Sequence, residues 1–256
     1  MTAPPPTPID LSDPVELMGS FELFSRHPLV NSLRDRYKKD SVLADCARKQ
    51  LVSDLARLNR DYSEEYGRVA FTTAEGRVKD EESFFMKLYK KCQERGPSHG
   101  IDRVTLGRLY SNIRDLCGVR FSCPYFDRVK ISIDEIIRPA LTKLNYVVDL
   151  GGKYRDKDYL DTGDDKGYRS YHFYVKIPTL VNIYGDWEYC LCEVQGRSEL
   201  QHVWAVKSHD LLYKPGAGWE FSDYHVTEDM RQLSNHLRVA DQFLISIRER
   251  VRKPGA

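Results

Sequence analysis

One β-prone hydrophobic run ends on Glu193-Val194-Gln195-Gly196-Arg197. Alternate residues of a strand point the same way, so Glu193, Gln195 and Arg197 share a face. An acid, an amide and a guanidinium in a row are costly to bury without partners. They suit a face turned to a polar ligand. The plainer alternative is a strand end opening to solvent.

Three other clusters carry polar chemistry. Arg77 and Lys79 precede a helix expected to begin near Asp80, on which Ser83, Lys87 and Lys90 or Lys91 share a face. Cations beside free helix N–H groups make a polyphosphate site; a wet basic face is the alternative. Asp115-Leu116-Cys117-Gly118-Val119-Arg120 puts an acid at the entry to a buried strand. Asp115 could hold a divalent cation and Arg120 touch a phosphate, against an ordinary salt bridge at a helix end. Gly167-Tyr168-Arg169-Ser170-Tyr171-His172 joins a glycine, which lets a ligand approach, to an exposed tyrosine able to stack on a base. A glycine turn into a strand reads equally from those residues.

The elements that must position these residues follow from periodicity. Residues 1–13 are proline-rich and predict a flexible tail. A helical region over 14–67 contains one long helix from Pro28 to Tyr66, with Leu51, Leu55, Leu58 and Tyr62 at helical spacing. Helices are expected from Asp80 to Arg95, over 104–114, over 125–143 and from Ser198 to Tyr213. Strands are expected at Gly118–Cys123, Tyr146–Leu150, Tyr171–Pro178 and Glu188–Gln195. A last helix from Val226 to Arg252 carries the stripe Met230, Leu233, Leu237, Ala240, Leu244, Ile247 and Val251, ending in Arg248, Arg250, Arg252 and Lys253. The fold class is α+β: one mixed sheet flanked by helices, with helical extensions at both ends, a core over 68–215 and a C-terminal helix in 216–256.

Composition narrows the setting. The chain has 256 residues, 41% hydrophobic, with a net charge of +1. That excludes a global basic field for nucleic acid, though not a local patch. Six cysteines form no CxxC pair, and Cys190 and Cys192 read as small core residues on one side of a strand. No run is apolar enough to span a bilayer. A cytoplasmic protein with reduced thiols and no membrane partner is expected.

Taken in order, R-x-K-x-x-x-S, D-x-x-G-x-R, G-Y-R-S-Y-H and E-x-Q-x-R-S, with Trp204 and His209 in W-x-x-x-x-H, resemble the synthetase domain of the RelA/SpoT family over about 70–215. The last two motifs are specific together. The resemblance implies a nucleotidyltransferase-like fold that moves the β,γ-pyrophosphate of ATP to the 3′-hydroxyl of GDP or GTP. It implies that Arg77, Lys79, Ser83, Lys87, Lys90 and Arg120 meet ATP. It implies that Asp115 and Glu193 bind Mg²⁺, and that Glu193 takes the acceptor proton. Tyr168 would stack on the acceptor base, with Arg169, His172, Gln195, Arg197 and His202 around it. It points to a small single-domain synthetase without hydrolase activity, and to a homo-oligomer in which the last helix is an interface or packs on its own core.

Two stretches depart from the guanosine-specific pattern. Asp161-Thr162-Gly163-Asp164-Asp165-Lys166 stands where relatives carry basic residues, and its acids should repel acceptor phosphates. His202 stands where they carry an asparagine. Three further readings therefore stay open: the same transfer to adenine nucleotides, transfer to tRNA 3′-CCA ends in a toxic relative with an antitoxin protein, and a non-catalytic nucleotide-binding regulator.

Overall fold

The computed structural model describes residues 20–95, 102–181, 187–208, 211 and 224–252. The expected N-terminal tail and His209 lie outside them. The chain divides into two compact units: residues up to Leu43 with Val78–Leu116, and Ala44–Arg77 with Cys117 onward.

The first unit is helical. It holds α1 (Phe21–Arg26), the start of α2 (Pro28–Tyr66), α3 (Glu81–Gln93) and α4 (Arg103–Ser111). Its core joins Phe24, Val30 and Tyr37 to Phe84, Phe85, Leu88, Leu106 and Tyr110. α3 begins where expected because Asp80 caps it, accepting from the Ser83 backbone N–H at 2.8 Å. That cap changes the sequence-based picture. The helix N-terminus is filled by a side-chain carboxylate, with Glu81 and Glu82 in the first turn.

The second unit carries the sheet. Its strands are β1 (Thr73–Val78), β2 (Cys117–Cys123), β3 (Lys157–Asp158), β4 (Tyr171–Val181) and β5 (Trp187–Ser198), in the order β1-β2-β5-β4-β3. β2 runs parallel to β5, while β4 pairs antiparallel with both β5 and β3. The sheet is therefore mixed, and β5 is its central strand. Phe121, Phe173, Val175 and Val194 from the sheet are buried, as are Val129, Ile133, Ile137 and Leu141 from the helical segment after β2.

That segment is one helical run of α5 (Arg128–Ile131), a wider π turn (Ser132–Ile137) and α6 (Arg138–Lys143). Pro139 has no N–H to give the preceding turn, and the ladder widens just before it. Two expectations need correction. Tyr146–Leu150 is not a strand: only Val147 bridges Lys176. The in–out alternation is real, since Tyr146 and Val148 are buried and Val147 is exposed. Tyr146, however, is tied to Asp54 through its hydroxyl at 2.6 Å, and left-handed backbone at Asn145, Gly151 and Gly152 brackets the run. β1 has no counterpart among the strands expected from the sequence. It is a strand because its inner side is covered from α2, where an added Cβ at Gly76 would lie 2.5 Å from Arg48 Cγ.

α7 (Glu199–Ser208) follows β5, and α8 (Tyr224–Arg252) is the last element. Only part of the expected apolar stripe of α8 is covered. The buried residues of the helix include Met230, Ser234 and Asp241, whereas Leu233, Leu244, Ile247 and Val251 are 38% or more exposed.

Candidate active site

In the second unit, the polar face of β5 is a continuous hydrogen-bonded row. Gln195 Nε2 donates to Glu193 Oε2 at 2.8 Å, and Arg197 donates to Gln195 Oε1 at 2.8 Å. From β4, Tyr174 donates to Glu193 Oε1 at 3.0 Å, and His172 Nδ1 lies 3.5 Å from the same oxygen. The antiparallel register pairs Tyr174 with Glu193 and His172 with Gln195. Tyr174 went unnoticed in the sequence, although its place on the His172 side of an alternating strand was the available signal.

Burial pushes the Glu193 carboxyl up, but hydrogen bonds and charge from His172, with bonds from Gln195 and Tyr174, pull it down to about 2. Glu193 is thus ionised at any physiological pH. It is a ready ligand for a cation but a weak base.

Tyr168 is half-buried rather than exposed. Its hydroxyl meets His172 Nε2 at 2.8 Å and Gln195 Oε1 at 3.2 Å, and accepts from Arg197 at 3.0 Å. Tyr159 packs edge-on against both Tyr168 and His172.

Arg197 is 2% exposed. Its bonds go to neutral oxygens, its Nε has no partner, and among the described residues no carboxylate pairs with it. A buried guanidinium without a counter-ion is expensive. Arg120 belongs to the same field: burial lowers its pKa, and Arg197 and Arg77 lower it further. Glu75, 3.5 Å away and largely exposed, opposes them, followed by Tyr168. His202 on α7 is held below the usual histidine value by burial and then by Arg197, so it is neutral at pH 7.

Arg169 turns elsewhere. It is 5% exposed and donates to the carbonyls of Leu160 and Asp161 and to Asn235. The acidic stretch is also engaged. Asp161 pairs with Arg238 at 3.0 Å, and Asp164 accepts from the backbone N–H groups of Lys166 and Tyr168. These acids build the turn, which weakens the expectation that they repel a ligand.

In the first unit, Asp115 lies between two lysines. Lys79 Nζ is 3.0 Å from Oδ2 and Lys87 Nζ is 2.9 Å from Oδ1. The Lys87 contact is an ion pair without hydrogen-bond alignment, so Oδ1 is buried and lacks an aligned donor. Burial raises the Asp115 pKa, but Lys87 and Lys79 outweigh it and hold the carboxyl below its ordinary value. Ser83 and Lys90 are exposed on α3. Among the described residues no three His, Cys, Asp or Glu side chains form a metal cage. Asp115 still fits a hard cation, because magnesium commonly takes one or two carboxylates and fills its shell with phosphate oxygens and water.

Known proteins resemble this chain over most of its length. A family model described as the region found in RelA / SpoT proteins matches residues 76–218. GTP pyrophosphokinase YwaC of Bacillus subtilis is 22% identical over 222 residues, 87% of this chain and 95% of the relative. GTP pyrophosphokinase YjbM of the same organism is 30% identical over 155 residues, 60% of this chain and 61% of the relative. The crystal structure of small alarmone synthetase 1 from Bacillus subtilis bound to its product pppGpp matches with a TM-score of 0.68 at 22% identity, over 85% of this chain and 99% of that one. The mixed sheet shares the fold of that structure, and the named relatives make the chain a transferase of the pyrophosphokinase type. The chain belongs to the RelA/SpoT family.

Proposed function

We propose that this protein moves the β,γ-pyrophosphate of ATP to the 3′-hydroxyl of GDP or GTP, making (p)ppGpp. The observation that carries the reading is Arg197, a buried cation whose hydrogen bonds among the described residues go to neutral oxygens, on a strand face that also carries Gln195 and an ionised glutamate. Such a row calls for a polyanion. In this reading Arg77, Lys79, Ser83, Lys87, Lys90 and Arg120 bind ATP. Tyr168 stacks on the acceptor base, and His172, Gln195, Arg197 and His202 surround the acceptor. Arg169 supports the acceptor loop from beneath.

The acceptor 3′-oxygen attacks the β-phosphorus, the bond from that phosphorus to the α,β-bridging oxygen breaks, and AMP leaves. Positioning and charge neutralisation dominate such a transfer. Asp115 and Glu193 would hold Mg²⁺, which when bound neutralises phosphate charge. Glu193 accepts a hydrogen bond from the 3′-hydroxyl and takes its proton as the new bond forms. Because Glu193 is so acidic, its general-base effect sits toward the lower end of the usual ~10²–10⁴-fold.

The tRNA and adenine-nucleotide readings rest on the acidic stretch and on His202. With Asp161 and Asp164 committed to the turn, the guanosine reading is the better supported. The regulator reading leaves the ionised Glu193 without a task. The test is a panel of acceptors with γ-labelled ATP: GDP, GTP, AMP, ADP, ATP and bulk tRNA. Label in the guanosine nucleotides is expected. Label confined to tRNA or adenine nucleotides overturns the acceptor assignment, and ATP binding with no transfer to anything supports the regulator.

A further inference from the structure

The loop that carries Tyr168 is held from one side by α8. The Ser234 hydroxyl donates to the Gly167 carbonyl at 2.5 Å. Gly167 has φ +91°, and an added Cβ would lie 2.9 Å from Arg231 Cα and 3.1 Å from Ser234 Cβ. The helix backbone therefore rests against the glycine, and no side chain fits between them. Arg169 donates to Asn235 Oδ1 at 2.8 Å while also gripping the Leu160 and Asp161 carbonyls. Arg238 pairs with the Asp161 carboxylate. Beneath Tyr168, the Trp204 indole N–H donates to the Met230 carbonyl at 2.6 Å, and its ring centre is 6.4 Å from that of Tyr168.

All these attachments lie within Met230–Arg238, on one side of the helix. They bracket Tyr168 in sequence at 161, 167 and 169. The hydrogen bonds of the Tyr168 side chain go to His172, Gln195 and Arg197 instead. The helix acts on the loop, and the loop aims the ring. A stacking platform on a free loop would lose its benefit to the entropy of ordering that loop at each binding event. Fastening the loop in advance removes that cost.

We propose that Ser234, Asn235 and Arg238 are positioning residues for the acceptor: they fix the Gly167–Arg169 backbone so that Tyr168 is preset for a base. This rests on the reading that Tyr168 receives the acceptor. It assigns α8 a share in acceptor recognition with no contact to either substrate.

The test is Asn235→Leu beside Asn235→Asp, with Arg238→Gln as a second route should the leucine variant fold poorly. Asn235→Leu strips a hydrogen bond from a buried guanidinium, and about a tenfold rise in acceptor KM is expected, with kcat and the KM for ATP within about twofold. Asn235→Asp keeps an accepting oxygen for Arg169 and should return acceptor KM close to wild type. Arg238→Gln should shift acceptor KM in the same direction, by less. Hydrogen exchange of the 163–170 amides gives a readout free of catalysis: faster in the leucine variant, protected in the aspartate variant. Unchanged exchange overturns the clamp. Faster exchange with unchanged acceptor KM, or an equal rise in both KM values, overturns its role in acceptor recognition. A wild-type enzyme that transfers nothing overturns the underlying functional reading instead, while the exchange measurement still decides the clamp.

Discussion

Glu193 is a carboxylate made acidic by its neighbours. Burial alone would favour its neutral form, but His172, Gln195 and Tyr174 stabilise the charge and carry the pKa to about 2. A depressed folded-state pKa adds stability above the unfolded value of ~4.3, and this is lost as pH falls through 2. Glu193→Gln should therefore remove pyrophosphate transfer by at least about 10²-fold and lose less stability on acidification than wild type. Transfer assays and urea melts at pH 7 and pH 3 check both, and retained transfer would take Glu193 out of the mechanism. Asp241 is the opposite case. It is fully buried, accepts from Ser198, and has one oxygen without a partner. Burial raises its pKa, so its carboxylate opposes folding at neutral pH. Asp241→Asn keeps an accepting oxygen and removes the charge, and a gain of about 1 kcal/mol at pH 7 is expected in denaturant titrations.

At the scale of elements, β5 is constrained on both faces. Its polar face holds the row from Glu193 to Arg197, and its other face packs so closely that an added Cβ at Gly196 would lie 2.5 Å from Phe121 Cζ. Gly196→Ala should cost about 1–3 kcal/mol by overpacking, with weaker transfer as the Gln195 and Arg197 side chains shift. A loss of stability near zero in urea melts would mean that the Phe121 ring can yield. The glycine of the E-V-Q-G-R run is thus a packing requirement hidden within a polar motif. Elements with strong periodicity, such as α2, α3 and β4, were readable because each residue's neighbours along the chain decide its face. β1 and the lone bridge at Val147 are not legible in local pattern, because the deciding partner lies far away in sequence.

At the scale of the whole molecule, α8 buries small polar residues and leaves much of its apolar stripe uncovered. The oligomer suggested by the resemblance would cover that stripe. Phe243 is 62% exposed and Leu244 41% exposed. If a second copy docks there, Phe243→Asp with Leu244→Asp should lower the sedimentation mass to that of one chain without changing the melting curve. A native monomer at micromolar concentration would instead leave the stripe as ordinary surface.

The order of polar motifs along this chain, and the periodic elements that carry them, are set by the sequence alone. Residue type and spacing fix which groups share a strand or helix face. The row Glu193, Gln195 and Arg197 was legible for that reason, and so was the basic face of α3. Tertiary structure decided the states of those groups. It gave Glu193 its acidity through His172 and Tyr174, left Arg197 buried without a counter-ion among the described residues, set Asp115 between Lys79 and Lys87, and tied Arg169 to Asn235, Asp161 to Arg238 and Asp164 to the Tyr168 backbone. A charge's energy depends on what surrounds it within a few ångströms, and those neighbours come from distant parts of the chain that no local pattern brings together.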